Sequence, residues 1–218
     1  MFTGHSIILK DFAHIVEKIH KFVIGVDEAG RGPLAGPVVS AAVIIEEKID
    51  GVKDSKCLSQ KRREALFNLI IEKAVAFGVG VSSPEEIDTI NILNATLLSM
   101  KRAVRSVSLN YLLKSGKLLK NAVVLVDGNK TIPRVKFSQK SIVGGDRKIY
   151  EISAASIVAK VTRDRMMVVF DRKYPVYEFV KHKGYATLLH KEMIKKYGIS
   201  EIHRRTFLKK LNEKNSLW

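Results

Sequence analysis

The order of elements in this 218-residue chain predicts an α/β fold, one mixed sheet covered by helices with a basic helical lobe packed at its C-terminal end. Three observations carry the prediction. Strand-length apolar runs alternate with helix-length segments in the order strand, strand, helix, strand, helix, strand, helix. Two of those runs end in acids, at Asp27-Glu28 and at Asp127, and the carboxyl ends of strands are where α/β sheets carry chemistry. The charge is also lopsided. Residues 1–109 hold 14 basic and 13 acidic residues, whereas residues 110–218 hold 24 basic and 9 acidic, for a total of +16.

Each element has a local reason. Residues 7–19 are expected to form a short helix within a leader at 1–20. The sequence FVIGVDEAGRG reads as a strand running into a glycine-rich turn, and VVSAAVII at 38–45 as a second strand. A polar linker with Gly51 covers 46–55. Residues 59–74 read as a helix, with Ser59 as cap and Leu66, Leu69, Ile70 and Lys73 at three-to-four spacing. Residues 74–82 alternate as a strand does, although Gly78 and Gly80 weaken the pattern. Ser83-Pro84-Glu85-Glu86 resembles a helix start, and a long helix is expected over about 89–113, before Ser115-Gly116. NAVVLVDG at 121–128 is a buried strand. Residues 129–146 read mostly as loop with a short strand inside 140–144, and 151–168 as helix up to a break at Tyr174-Pro175. Two further helices, at about 184–197 and 204–212, complete a basic lobe over about 169–218. The whole is expected to be a single domain.

Composition narrows the function. Apolar residues make up 46% and charged residues 28%, enough for a sizeable core. The single cysteine, Cys57, rules out a disulfide framework and a thiolate zinc cluster. The N-terminus lacks signal-peptide organisation and no run of about 18 apolar residues occurs, so a soluble, cytoplasmic protein without membrane contact is expected. The positive field suits a polyanion, with nucleic acid ahead of a membrane surface.

Against that charge, grouped acids need a reason, because a buried bare carboxylate is costly unless it is paired or binds metal. Asp27 and Glu28 precede Gly30-Arg31-Gly32, a turn whose backbone can approach a sugar–phosphate chain closely. Asp127 closes its strand, and Asp146 follows Gly144-Gly145 just before a helix. Each also has a plain reading, as a surface turn, an Asp-Gly turn or an acid at a helix start, and the residues alone leave these open. Four carboxylates suit Mg²⁺ or Mn²⁺, where zinc would call for more His or Cys. Two such ions about 4 Å apart support phosphodiester cleavage. Ser55 and Lys56 are candidates for phosphate binding, as are the basic residues Lys160, Arg163 and Arg165 of KVTRDR, with Asp164 in a structural ion pair. Tyr185 suits stacking on a sugar or base, or ordinary half-burial. His182, His190 and His203 have no zinc spacing and read as packing histidines, and Met100, Met166 and Met167 as core.

Taken together, the motifs resemble those of bacterial ribonuclease HII, the type 2 ribonuclease H family. The match runs through GVDEAGRGPLAGPVVSAAV at 25–43, DSKCLS at 54–59, LVDGN at 125–129, GGD at 144–146 and EISAASIVAKVTRD at 151–164. HKGYATLLH at 182–190 and HRRTF at 203–207 complete it. The resemblance implies a ribonuclease H-like mixed five-stranded sheet flanked by helices, with a C-terminal helical extension. It implies endonucleolytic cleavage of the RNA strand of RNA/DNA hybrids, and cleavage on the 5′ side of ribonucleotides embedded in duplex DNA. Two-metal catalysis would leave 5′-phosphate and 3′-hydroxyl ends, in ribonucleotide and RNA-primer removal. The family's metal-binding acids fall on Asp27, Glu28, Asp127 and Asp146. Its sugar-reading groups fall on Gly30, Arg31, Gly32 and Tyr185. On the reading of the residues themselves, Ser55, Lys56, Lys160, Arg163 and Lys183 are expected to bind phosphates. The expected partners are RNA/DNA hybrid and ribonucleotide-containing duplex DNA, with no obligate protein partner and a monomeric state. One departure stands out: where the family often has Tyr-Gly-Phe, this chain has Tyr177-Glu178-Phe179. The AGRG element favours type 2 over ribonuclease HIII. A junction resolvase, a non-catalytic nucleic-acid module and a phosphate-loop hydrolase are the remaining rivals, and the last lacks the Gly-Lys-Ser/Thr it requires.

Overall fold

The apolar runs do form the strands, in a computed structural model that describes residues 21–52 and 55–214, except for the side chains of Lys56 and residues 210–214. The leader at 1–20, with its expected helix at 7–19, lies outside the described residues. The strands are β1 (Phe22–Ala29), β2 (Val38–Ile44), β3 (Ala76–Ser82), β4 (Ala122–Asp127) and β5 (Ser138–Ile142). They make one five-stranded sheet in the order β3-β2-β1-β4-β5. β2 pairs antiparallel with β1 and β3, whereas β4 pairs parallel with β1 and β5, so the sheet is mixed as expected. β5 lies two residues earlier than the 140–144 window read from sequence.

Helices cover both faces. They are α1 (Gln60–Lys73), α2 (Pro84–Ser115), α3 (Tyr150–Lys173), α4 (Phe179–His182), α5 (Leu188–Tyr197) and α6 (Arg205–Lys214). Alternation along the strands decides which side chain faces which layer. Ile24, Val26, Val124 and Val126 pack with Met100, Ala103, Val104 and Val107 of α2. Ala41 and Val43 face the other way, onto Leu66 and Ile70 of α1 and onto Ala155, Ile157 and Val158 of α3. Met100 and Met167 are buried in the core, whereas Met166 is only partly buried.

α2 begins at the Ser83-Pro84 start signal, ahead of the long helix expected from about residue 89. Ser83 and Glu86 form a reciprocal capping box, and Pro84 opens the first turn. Asn91 then breaks the helix with φ 66°, and its side-chain oxygen accepts the Asn94 amide, which caps the restart. The expected start near residue 89 therefore marks the second segment of a kinked helix.

The basic lobe is sewn into the sheet's first turn. Leu34 donates to the Gly184 carbonyl, Gly36 to that of Ile202, and Arg204 to that of Leu34. Ala35, Met167, Tyr177, Phe179 and Ile202 form the core of this junction. Nearby, Glu178 occupies the left-handed region at φ 53°, ψ 43°, a conformation that glycine enters without strain. The backbone therefore keeps a glycine-type turn despite the side chain, which pairs with Lys181. Glu178→Gly is expected to raise stability by about 1 kcal/mol. Urea denaturation checks this, and a loss of stability would mean that the Lys181 pair outweighs the strain.

Candidate active site at the carboxyl ends of the central strands

β1 and β4 place two acids side by side. Their parallel register runs from Phe22 opposite Ala122 to Val26 opposite Val126, so Asp27 and Asp127 come next together, at the end of the ladder. Asp27 is 4% exposed and takes a hydrogen bond from Ser156 of α3, as well as the Glu28 amide at 2.7 Å. Asp127 accepts the Gly145 amide at 2.6 Å, which ties the β4 end to the turn carrying Asp146. Glu28 points toward α2, yet reaches the same cavity because β1 ends there, and Arg31 pairs with it at 3.3 Å.

These three acids line a cavity of about 250 Å³. Gly30, Arg31 and Gly32 form one wall, and Ser55, Ser156, Lys160 and Tyr185 close the others. Asp146 is buried beside the site but is not among the lining residues. Its backbone carbonyl accepts the Ser153 hydroxyl at 2.7 Å, and its carboxylate lies 3.9 Å from Arg147. Burial first, then the charges of Glu28 and Asp127, push the Asp27 carboxyl well above the usual carboxylate range. Burial also raises Glu28, with the Asp127 charge adding to it and Arg31 opposing. Buried carboxyls raised by neighbouring negative charge make a site that a cation stabilises. Among the described residues no three His, Cys, Asp or Glu side chains are drawn into a ready-made metal cluster. By donor type and charge, the carboxylates fit a hard divalent ion such as Mg²⁺ or Mn²⁺.

The other residues expected at the site divide into two groups. Ser55 is buried against Ser156, with 2.8 Å between hydroxyls, and Lys160 lines the cavity while pairing with Asp164 at 2.8 Å. The Lys56 side chain and Asp54 lie outside the described residues. Lys183 is not a lining residue, and its ammonium donates to the Val180 carbonyl at 2.5 Å. Arg163, read from sequence as a phosphate ligand, has no exposed surface. Its guanidinium donates to the carbonyls of Pro37, Ala35 and Lys183 at 3.0–3.1 Å, so it braces the glycine-rich turn from behind. A side chain on Gly30, which has φ 97°, would meet Arg163 at 2.0 Å. Arg165 pairs with Glu64 and covers Phe67.

Two features escaped the sequence reading. Arg204, also with no exposed surface, donates to the carbonyls of Gly30, Arg31 and Gly36 at 2.6–2.9 Å. Two buried guanidiniums therefore set the Gly30–Pro37 backbone. Burial, then the charge of Arg163, lower Arg204 to about 9, which leaves it charged at neutral pH. Ser153 and Ser156, three residues apart on α3, hold Asp146 and Asp27. Polar residues at helical spacing on an otherwise apolar face were the available signal. His182, His190 and His203 cluster under the Tyr185 turn, as packing histidines.

The model of the family described as Ribonuclease HII matches residues 24–210. The chain belongs to the ribonuclease HII family. A ribonuclease HII of Caldicellulosiruptor bescii is 48% identical over 208 residues, covering 93% of this chain and 96% of the relative. One from Fusobacterium nucleatum is 50% identical over 210 residues, covering 94% of each. The crystal structure of the ribonuclease H2 from Pyrococcus horikoshii OT3 aligns with TM-score 0.66 at 32% identity, covering 88% of this chain and 98% of that one. A Bst ribonuclease HIII solved in complex with Mn²⁺ shares the fold, with TM-score 0.66 at 17% identity over 84% of this chain and 65% of its own. The family is a family of endoribonucleases, and this member acts on the RNA strand of RNA/DNA hybrids and on ribonucleotides embedded in duplex DNA. No helix among the described residues is long and apolar enough to cross a membrane.

His190 and His203 also give the fold a pH dependence. Burial first holds both rings at about 4, with the charge of His182 opposing protonation of each and that of His190 adding at His203. Unfolded chains protonate these rings below about pH 6.5, whereas the folded protein resists until about 4. Their contribution is thus complete above pH 6.5 and is lost as pH falls toward 4. Asp27 and Glu28 act in the opposite sense, because their folded values are raised. Urea denaturation at pH 7 and pH 5 should therefore show a smaller acid-side loss in His190→Phe than in the parent. An unchanged loss would contradict the assignment.

Proposed function

We propose that Asp27, Glu28, Asp127 and Asp146 together hold the divalent cation at which the ribonucleotide strand is cut, and that the Gly30–Gly32 backbone and Tyr185 select the sugar. The observation supporting this most is the cavity itself. It gathers three mutually repelling carboxylates, the Gly-Arg-Gly backbone, a lysine and an aromatic ring at the ends of two parallel strands. Mg²⁺ or Mn²⁺, when bound, supplies an electrophile for the phosphate oxygens and acidifies the attacking water.

The chain's own groups do the rest. Asp27 and Asp127 orient from adjacent strands, and Ser156 and Gly145 fix their carboxylates. Asp146 approaches from the turn beyond Gly145, restrained by Ser153. Lys160, and outside the described side chains Lys56, offset phosphate charge, with Ser55 beside them. Lys183, outside the cavity lining, serves a more distant phosphate in this reading. Gly30 and Gly32 let backbone groups approach the 2′-hydroxyl, the donor and acceptor that distinguishes RNA from DNA. Tyr185 offers an exposed ring face for the neighbouring sugar. Backbone contact on one side and a ring on the other suit a ribonucleotide joined to a deoxynucleotide. The products carry 5′-phosphate and 3′-hydroxyl ends. The protein works as a cytoplasmic monomer, in one domain with its basic lobe against the duplex.

The test is a substrate panel with Mg²⁺ or Mn²⁺: a duplex with one embedded ribonucleotide, a continuous RNA/DNA hybrid and an all-DNA four-way junction. Cleavage of the first two, abolished by chelator, is expected. Cutting of the junction, or cleavage that survives chelation, would contradict the proposal.

A further inference from the structure

Behind Tyr185 lies a set of hydrogen bonds whose direction can be assigned atom by atom. The Tyr185 carbonyl can only accept, so His190 Nδ1, 2.9 Å away, carries a proton and donates. In an uncharged ring, His190 Nε2 is then an acceptor. His203 Nε2 lies 3.1 Å from it and must donate. That leaves His203 Nδ1 as an acceptor, and it receives the Ser200 amide at 2.9 Å and the Ser200 hydroxyl at 2.8 Å. His182 follows the same logic: its Nδ1 accepts the Gly184 amide at 3.2 Å and its Nε2 donates to the Tyr177 carbonyl at 2.9 Å. All six ring nitrogens are used, and this proton arrangement satisfies every partner. The rings are also locked by packing. His182 stacks on His190 at 4.3 Å, and the Phe179 ring lies 5.5 Å from His190 and 5.8 Å from His203.

The relay joins two segments that meet in the cavity. At one end is the Tyr185 turn. At the other, His203 bridges to Ala35, and its neighbour Arg204 holds the Gly30 and Arg31 carbonyls. Between them, the Tyr185 ring stands 3.8 Å from where a Gly32 side chain would begin. The ring and the Gly-Arg-Gly backbone therefore line the same cavity, next to one another.

We propose that His190 and His203 are positioning residues that set where the Tyr185 ring stands against the Gly-Arg-Gly backbone, acting on Tyr185 through its backbone carbonyl. The inference deepens the reading of Tyr185 given above and rests on it. Neither histidine touches substrate. Their effect falls on discrimination, because a displaced ring costs most where one sugar must be told from the next.

The experiment measures kcat and KM with Mg²⁺ on a duplex with one embedded ribonucleotide and on a continuous RNA/DNA hybrid. His190→Phe keeps a ring but removes both hydrogen bonds. It should lower the embedded-to-hybrid kcat ratio about ten-fold or more, with KM little changed. The amides give a crossed pattern. At position 190, His→Asn places an amide nitrogen where Nδ1 was and should restore the ratio, while His→Gln should not. At 203, where the Nε2 donor matters, His→Gln should restore it and His→Asn should not. This pattern can still be read if the phenylalanine variant does not fold. In a Tyr185→Ala background, His190→Phe should add nothing further. If Tyr185→Ala lowers the ratio but the histidine variants leave it intact, or lower it equally in that background, the relay is overturned and the reading of Tyr185 survives. If Tyr185→Ala itself leaves the ratio unchanged, that reading falls and takes the relay with it.

Discussion

Asp127→Asn is expected to lose about 10³-fold or more in turnover while the protein remains as stable as the parent, or becomes more so. Both halves follow from one arrangement. Asp127 raises Asp27 and Glu28 through its charge, so neutralising it relieves repulsion in the metal-free protein. The asparagine side-chain oxygen can still accept the Gly145 amide, so the turn before α3 keeps its anchor. The cation, however, loses a charged ligand, and a 10³-fold loss corresponds to about 4 kcal/mol of transition-state stabilisation. Thermal melts in chelator, beside turnover with Mg²⁺, check both halves. Near-normal cleavage would remove Asp127 from the machinery, and a melting temperature lowered by many degrees would make its role structural.

Arg204→Met is expected to cost about 3–5 kcal/mol of stability, and to reduce cleavage in whatever fraction still folds. The guanidinium donates to three buried or half-buried carbonyls, of Gly30, Arg31 and Gly36. Methionine fills much of the volume and satisfies none of them. Each unmet buried carbonyl costs about 1–3 kcal/mol, and partial relaxation of the turn recovers some of the sum. A lysine places one ammonium where three donors in a planar fork are needed, so Arg204→Lys should recover only part of the loss. Denaturant titration reads this directly. A change under about 1 kcal/mol would show that the turn holds its shape without the clamp.

Much of this was legible in the residues because the relevant signals are local. Continuous apolar runs ending in Asp27-Glu28 and Asp127 marked both the strands and the place for chemistry, and Ser59 and Ser83 cap the helices that follow them. The α2 start was visible in Ser83-Pro84-Glu85-Glu86. What the pattern could not show was that Asn91 interrupts the helix seven residues later. Arg163 was misread as a phosphate ligand, and the clamp formed by Arg204 went unseen, for a different reason. Arg163 bonds to carbonyls up to 128 residues away and Arg204 up to 174 away, so nothing near them in sequence distinguishes a buried clamp from a solvent-facing phosphate ligand. Their count was part of the positive balance that suggested nucleic acid, although neither charge reaches the surface. The histidines were read as packing residues and they do pack. The order in which they pass hydrogen bonds to Tyr185 exists only once residues 185, 190, 200 and 203 meet.

The position of the broken bond tests the central reading most directly. A duplex with one ribonucleotide, labelled at either end of that strand, is incubated with the protein and Mg²⁺, and the fragments are mapped to single-nucleotide resolution. A cavity built from acids, a sugar-approaching backbone and a ring predicts one break on the 5′ side of the ribonucleotide, with a 3′-hydroxyl on the DNA fragment and a 5′-phosphate on the ribonucleotide. A break on its 3′ side leaving a cyclic phosphate would mean that the 2′-hydroxyl itself attacks, and the carboxylates of β1 and β4 would then have no part in the chemistry.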